Sequence, residues 1–311
     1  MKFTNKYNLP EYLYNLLSHE WYGGANAVHD FSVTQTCNPV CMTILQNRHK
    51  EDLESDVMDK YFQTIGTGIH HLAEIANKNK KYVVEERKYT TINDIVISGQ
   101  VDLYSPLEQK MIDYKVTKAE ASKFADKIEK YKTQLNVNKY IFEKNSFPVK
   151  TLEIVEIYRD WDKQKAKREV GYPQTPIVII DVPVLSNPVI EFEIKKYISE
   201  YTRERELPDE SLSPCSPKDR WETQKSFAVM KHGASRALKV CYSLVEAESY
   251  RSLNTKVSET FIEEREATPK RCIEWCDVNE FCPFYKKYMN KEEKPNEEKR
   301  ELRNKDISFD L

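Results

Sequence analysis

IVISGQVDLYSPLEQKMIDYKV, residues 95–116, holds two strand patterns joined by one short turn. Residues 95–104 are rich in β-branched and aromatic side chains, Ser105 and Pro106 supply turn chemistry, and residues 110–116 return to the strand pattern. Alternate residues of a strand face the same side, so Asp113 and Lys115 project together, while Ile112, Tyr114 and Val116 are expected to turn into apolar packing. Asp102 follows Gly99 on the first strand, and the short turn lets it lie close to Asp113. Two carboxylates placed together suit a hard divalent cation such as magnesium or manganese. Such a cation stabilises charge on a phosphate and lowers the pKa of a bound water, and Lys115 can orient that water or support the developing charge.

Upstream, residues 82–91 form a further strand pattern, and Asn93 with Asp94 gives the turn of a hairpin. Before it, residues 52–78 read as a helix interrupted by Gly66 and Gly68, with Ile65, Ile69, Leu72 and Ile75 on its apolar face. His70 on that helix could complete a metal shell through an imidazole nitrogen. Glu74, one turn later on the same face, could hold the ring or a metal-bound water. Downstream, Thr117 and Glu120 have the spacing of a capping box that opens a long helix, expected to run to about Asn145 and to carry Gln134. Residues 151–158 alternate as another strand, and residues 177–182 form a short apolar run. The order of helix, three strands, helix and strand predicts an α/β fold with a mixed central sheet flanked by helices.

The 311 residues suffice for one large domain or for a core with an appendage. The expected organisation is a core over residues 1–187, a helical, charged region over 188–290 and a mobile polar tail over 291–311, with one soft boundary near Asn187 and Pro188. With 48 basic against 50 acidic residues and a net charge of -2, the chain lacks the global positive field of a nucleic-acid coat protein. Local basic stretches remain at Lys78, Lys80 and Lys81 and at Lys118, Lys123, Lys127, Lys130 and Lys132, where any single lysine is ordinarily part of a solvated face. No window approaches the ~18 consecutive apolar residues of a membrane helix, and MKFTNKYNLP lacks the apolar core of a secretory signal, so a cytoplasmic location is expected. Seven cysteines in such a chain point to reduced thiols or metal ligands rather than a disulfide framework.

An isolated Asp-x-Lys is usually a surface pattern, and a lone histidine on a helix is usually structural. The order is more specific: Gly66-x3-His70, Gly99-x2-Asp102, Asp113-Tyr114-Lys115, then Gln134 on the following helix. In this order the chain resembles the RecB-type branch of the PD-(D/E)XK nucleases, including phage-encoded and CRISPR-associated exonucleases. The resemblance implies a restriction-endonuclease-like core, with His70, Asp102 and Asp113 as metal ligands and Lys115 as the catalytic lysine. Gln134 matches the glutamine of the family's helix motif, which usually continues to a tyrosine four residues later. Here that position is Asn138, and the nearest tyrosine, Tyr140, lies off that face. The core resemblance covers residues 66–140. A weaker similarity to phage members includes Ser32, Val33 and Thr34 with Leu45, Arg48 and His49. It also takes in residues 215–221 with Phe227, Ala228, Val229 and Met230.

Cys272, Cys276 and Cys282, followed by Pro283, resemble the three-cysteine signature that binds a 4Fe-4S cluster in several members of the family. Four thiolates are normally needed, and the fourth is Cys215 by its phage-like surroundings, or else Cys37 or Cys41. Four thiolates also serve a zinc ion, and buried thiols that bind nothing are the plain alternative. The implied function is a metal-dependent DNA exonuclease in phage or bacterial recombination, repair or processing, with a recombination or single-strand-binding protein as a partner. A non-catalytic nucleic-acid-binding or scaffolding protein of the same fold is a second reading, and a site-specific endonuclease a third. The intact set of Asp102, Asp113 and Lys115 argues against the second, because a binding module has no need of a lysine beside two clustered carboxylates.

Overall fold

The computed structural model of the chain describes residues 2–19, 29–78, 81–123 and 125–290, apart from the side chains of 122–127. The expected tail over 291–311 lies outside these residues, as does Lys80. Contacts divide the chain into two compact units, residues 1–206 and 207–311.

The first unit begins with β1 (Lys2–Thr4), α1 (Glu11–Ser18), β2 (Phe31–Ser32), α2 (Val33–Thr36), α3 (Val40–Arg48) and β3 (Glu54–Asp56), of which β1 and β3 form a small parallel pair. It continues through α4 (Tyr61–Asn77), β4 (Val83–Ile92), β5 (Ile95–Ser105), β6 (Lys110–Thr117), α5 (Ala125–Lys144), β7 (Thr151–Tyr158), α6 (Lys163–Arg168), β8 (Ile177–Val182) and α7 (Asn187–Glu204). The central sheet has six strands and is mixed: β4 and β6 run antiparallel to β5, β2 parallel to it, β7 parallel to β6, and β8 antiparallel to β7. This is the α/β arrangement predicted from the order of elements.

One local feature of the sheet organises the rest. A strand has two edges, and β4 occupies one edge of β5 along its length. The other edge is shared: β2 pairs with Ile97 and Ser98, and β6 pairs only with Leu103, Tyr104 and Ser105. Residues 99–102 therefore face a gap in the ladder. Backbone groups there must find other partners. The Gln100 carbonyl accepts from Asn138 Nδ2 of α5 at 3.1 Å, and across the gap the Tyr114 amide donates to the Asp102 carboxylate at 2.7 Å.

Helix α5 lies over this region and joins two apolar clusters. Val137, Tyr140 and Ile141 pack with Val33, Ile97 and with Ile190, Ile194 and Ile198 of α7, while Leu135 and Phe142 pack with Tyr104, Met111, Leu152 and Ile154. The approach is close enough that a Cβ at Gly99 would collide with Asn138 Oδ1 and meet Ile141 Cδ1 at 3.1 Å. Helix α7 thus belongs to the first unit, and the division falls after Glu206 rather than at Asn187 and Pro188, where α7 begins.

Three expectations change. Residues 52–60 are not helical; β3 and a 3-10 turn stabilised by the Asp56 cap precede α4, which runs straight through Gly66 and Gly68. The apolar face of α4 is not buried among the described residues, with Leu72 63% and Ile75 58% exposed. Thr117 and Glu120 do not open α5: Thr117 ends β6 beside Tyr158, the Asp160 carboxylate accepts from the Ala119 amide at 2.7 Å, and a 3-10 turn (Ala119–Lys123) lies between β6 and α5.

The second unit contains helices α8 (Leu244–Asn254) and α9 (Lys270–Glu274), together with a three-stranded antiparallel sheet that the sequence reading did not include. Its strands are β9 (Ser226–Lys231), central, between β10 (Ala237–Cys241) and β11 (Thr260–Arg265). Val229, Cys241 and Ala247 form its small core. No helix among the described residues is long and apolar enough to cross a membrane.

Two glycines separate close approach from mere permissiveness. Gly99→Ala should lower stability by roughly 1–3 kcal/mol through overpacking against α5. Gly66→Ala, in a helix with open space around it, should raise stability by up to ~1 kcal/mol. Denaturant or thermal unfolding of the two variants checks the opposite signs.

Candidate metal centre

The gap along β5 opens into a cleft of about 310 Å³ lined by Ser32, Val33, Thr34, His70, Glu85, Arg87, Ser98, Gln100, Asp102, Asp113, Lys115, Gln134 and Asn138. All five residues expected to carry chemistry in the core, His70, Asp102, Asp113, Lys115 and Gln134, are among them. Asn138, at the position where the family motif carries tyrosine, also lines the cleft, whereas Tyr140 is buried and donates to Glu191 of α7 at 2.9 Å.

His70 reaches the sheet from α4, its Nδ1 lying 3.4 Å from Asp102 Oδ1 and 3.9 Å from Glu85 Oε1. His70, Glu85 and Asp102 each offer one ligand atom within 4.8 Å of the others, the one such group among the described residues. Glu85 was not singled out in the sequence, yet the signal was present. The two-residue turn at Asn93 and Asp94 sets Ile92 opposite Ile95, and the same register pairs Val84 with Leu103 and Glu86 with Val101, which brackets Glu85 and Asp102. Asn93 and Asp94 both take positive φ, as that turn requires. Glu85 also has a left-handed backbone, φ 49°, which costs on the order of 1–3 kcal/mol for a residue with a side chain and is characteristic of functional sites. Gln100 Nε2 donates to Glu85 Oε2 at 2.6 Å and holds the carboxylate toward the cleft.

Asp113 and Lys115 do share a face of β6, with Lys115 Nζ 2.7 Å from Asp113 Oδ2. The burial is the reverse of expectation. Met111 and Asp113 are buried, whereas Ile112, Tyr114 and Val116 are half-buried, because α5 covers the side to which Met111 and Asp113 point. Burial pushes the Asp113 carboxyl above the usual carboxylate range against the pull of Lys115, and the nearby Asp102 charge pushes it the same way. The Lys115 ammonium also stands 5.0 Å from the centre of the Tyr131 ring.

Burial alone would lower the His70 pKa, but hydrogen bonds and the charges of Asp102 and Glu85 outweigh it and raise it to about 10. An imidazolium thus balances two carboxylates that would otherwise repel. One imidazole nitrogen and two carboxylates are also a donor set that fits a divalent cation. Glu74 does not hold His70; it faces His71 at 3.4 Å and Lys78 at 3.8 Å along its own helix. Among the lysines of the basic stretches, Lys132 pairs with Glu129 and Lys130 donates to Asn38. The side chains of Lys123 and Lys127 lie outside the described residues.

In the second unit, Cys272 and Cys282 are buried and Cys215 and Cys276 partly so. The Cys272 thiol is pushed up to about 12, first by burial and then by Cys276, Cys282 and Cys215, and burial pushes Cys276 up to about 11. The Cys215 segment is tied to the Cys272 segment by the bond from the Arg271 amide to the Arg220 carbonyl, 3.0 Å. No three of these sulfurs fall within 4.8 Å of one another. Cys37 and Cys41 belong to the first unit, and burial raises the Cys37 thiol to about 11.

No protein-family model matches the sequence, and no curated protein does. Among solved structures, the chain is similar over 61% of its length to 85% of the chain in the crystal structure of SSO0001, at 15% identity and a TM-score of 0.42. It is similar over 51% of its length to 68% of a phage-related exonuclease from Haemophilus somnus 129PT, at 13% identity and a TM-score of 0.27.

With its pKa near 10, His70 is protonated at neutral pH, and a metal ion must displace that proton to reach the nitrogen. Manganese binding at pH 7 should therefore release about one proton. Apparent affinity should rise about tenfold per pH unit until the pH nears the His70 value. Calorimetric titration in buffers of different ionisation enthalpy measures the release, and His70→Asn should abolish it. A binding heat independent of the buffer would show that metal binding displaces no proton from His70.

Proposed function

We propose that this chain is a divalent-metal-dependent deoxyribonuclease of the PD-(D/E)XK type, acting as an exonuclease in recombination, repair or processing of phage or bacterial DNA. The observation that carries the reading is the convergence, in one cleft, of the Asp113–Lys115 pair with the His70, Glu85 and Asp102 donor set. Magnesium or manganese held by His70, Glu85 and Asp102, with Asp113 as a further ligand, would offset charge on a scissile phosphate and make a bound water nucleophilic at neutral pH. Lys115 supplies a fixed positive charge at the same face, held in place by Asp113. Gln100 orients Glu85, and the Tyr114 amide orients Asp102, so both carboxylates are preorganised. Gln134 and Asn138, one turn apart on α5, line the same cleft.

For the cysteines we propose a second, structural cofactor. Cys215, Cys272, Cys276 and Cys282 would hold a 4Fe-4S cluster that clamps segments far apart in sequence. Four thiolates would serve a zinc ion as well.

Incubation of the purified protein with linear and circular DNA, with and without manganese, tests the nuclease reading. Asp113→Asn should lower hydrolysis roughly 100- to 1000-fold with the fold retained. Glu85→Gln should impair metal-dependent cleavage, while Glu74→Gln should not. Full activity in Asp113→Asn would sink the assignment. For the cysteines, anaerobically purified protein should be brown, and Cys276→Ser should bleach it and lower its melting temperature. Colourless protein with stoichiometric zinc would replace the cluster by zinc.

A further inference from the structure

Glu156 is fully buried on β7, and the reaction outlined above makes no use of it. One carboxyl oxygen, Oε2, accepts from the Tyr158 hydroxyl at 2.7 Å. The other, Oε1, has no hydrogen-bond partner among the described residues. A buried acceptor left unpaired forfeits the hydration it had in the unfolded chain, and such groups are rare in folded proteins.

The register of the sheet shows which side chain that carboxyl can meet. Strands β6 and β7 are parallel, and Lys115 is the direct partner of Glu156, roughly 5 Å away between backbones. Met111 and Asp113 of β6 and Leu152, Ile154 and Glu156 of β7 are buried on the side that α5 covers, so Lys115 and Glu156 leave the sheet on that same side. Tyr131 of α5 stands by both. Its ring centre is 5.0 Å from the Lys115 ammonium, and its phenol is pushed up to about 12 by burial and then by the charges of Glu156 and Asp113. Both carboxyls thus act on one phenol, with the ammonium against the same ring.

Lys115 has its ion pair with Asp113, at 2.7 Å. Asp113 is also the further ligand of the proposed metal centre. A carboxylate that takes up a divalent cation is a poorer partner for an ammonium, because the two positive charges repel across it. The lysine then needs another acceptor, and its flexible four-carbon stem lets the ammonium move to one.

We propose that Glu156 is a positioning residue: when a divalent cation takes Asp113, the Lys115 ammonium passes to Glu156 Oε1, which holds it at the cleft. One of its three N–H donors is then committed to Glu156, and two remain for a water or a phosphate oxygen. The inference rests on the nuclease reading above for the metal and the reaction.

Two measurements test it without DNA. The first is a crystal structure of the wild type with bound calcium, a hard cation that also takes oxygen ligands. Lys115 Nζ should lie within hydrogen-bond distance of Glu156 Oε1 there, and an ammonium that remains on Asp113 overturns the proposal. The second is a double-mutant cycle on manganese affinity, read by calorimetry in wild type, Glu156→Gln, Lys115→Met and the double variant. Glu156→Gln keeps the shape and the bond from Tyr158 but removes the charge that draws the ammonium. It should weaken manganese binding about tenfold, because Lys115 then competes with the cation for Asp113. In the Lys115→Met background the same change should cost less than about twofold.

An equal loss in both backgrounds would mean that Glu156 acts through its charge or packing alone, and the positioning role would fall. Should Glu156→Gln fail to fold, the calcium structure decides, since it needs no variant. Cleavage of linear DNA with manganese separates the inference from the reading beneath it. Coupling between Glu156 and Lys115 in a protein that never cuts DNA would remove the nuclease and leave the positioning role. Normal cleavage by Glu156→Gln, without coupling, would remove the role and leave the nuclease.

Discussion

The gap in hydrogen bonding along one edge of β5 is the constraint on which the site depends. Had β6 continued to pair beyond Leu103, the backbones at Asp102 and Asp113 would have been closed together by ladder bonds, with no room between them for a ligand. Because β2 takes the far end of the same edge, the opening is bounded on both sides and cannot slide along the strand. The polar groups stranded in the gap are recruited: Asn138 satisfies the Gln100 carbonyl, and Asp102 satisfies the Tyr114 amide. The structural debt of an interrupted sheet is thus met by side chains that also line the cleft.

The electrostatics follow from that geometry. Asp102, Glu85 and Asp113 are brought near one another in a partly desolvated place, where like charges repel strongly. The first unit answers with two cations of different kinds, the His70 imidazolium between Asp102 and Glu85 and the Lys115 ammonium against Asp113. Lysine keeps its proton through metal binding, whereas histidine can surrender one and remain as a ligand. On the proposed reading, this difference in chemistry would account for a histidine at the shared centre and a lysine at its flank. The left-handed backbone of Glu85 adds a local cost that the surrounding hairpin and the Gln100 bond must offset.

Much of this was legible in the chain from residue types and spacing. Alternation and turn chemistry placed β4, β5 and β6 within a residue or two of where they stand, and strand parity put Asp113 and Lys115 on one face. The turn at Asn93 and Asp94 even contained the register that brings Glu85 and Asp102 near each other, between the pairs Val84–Leu103 and Glu86–Val101. The helix at residues 52–60 was misread because its polar and acidic residues suit a capped 3-10 turn as well as a helix, and only packing chooses between them. Strand β9 is hidden for a related reason: the run Phe227, Ala228, Val229 and Met230 is uniformly apolar and carries no alternation.

The sequence by itself determined the elements of the core, the chemistry of the donors and the order in which they occur, because these depend on local backbone preference and side-chain type. Tertiary structure alone decided which face of β6 is buried, that His70 rather than His71 meets Asp102 and Glu85, that Glu74 turns away, and that Arg87 stands in the cleft bonded to Ser98 and Gln100. Each of these depends on how α4, α5 and β2 are set against β5, and such placements arise from contacts between residues far apart in the chain, to which no local pattern responds.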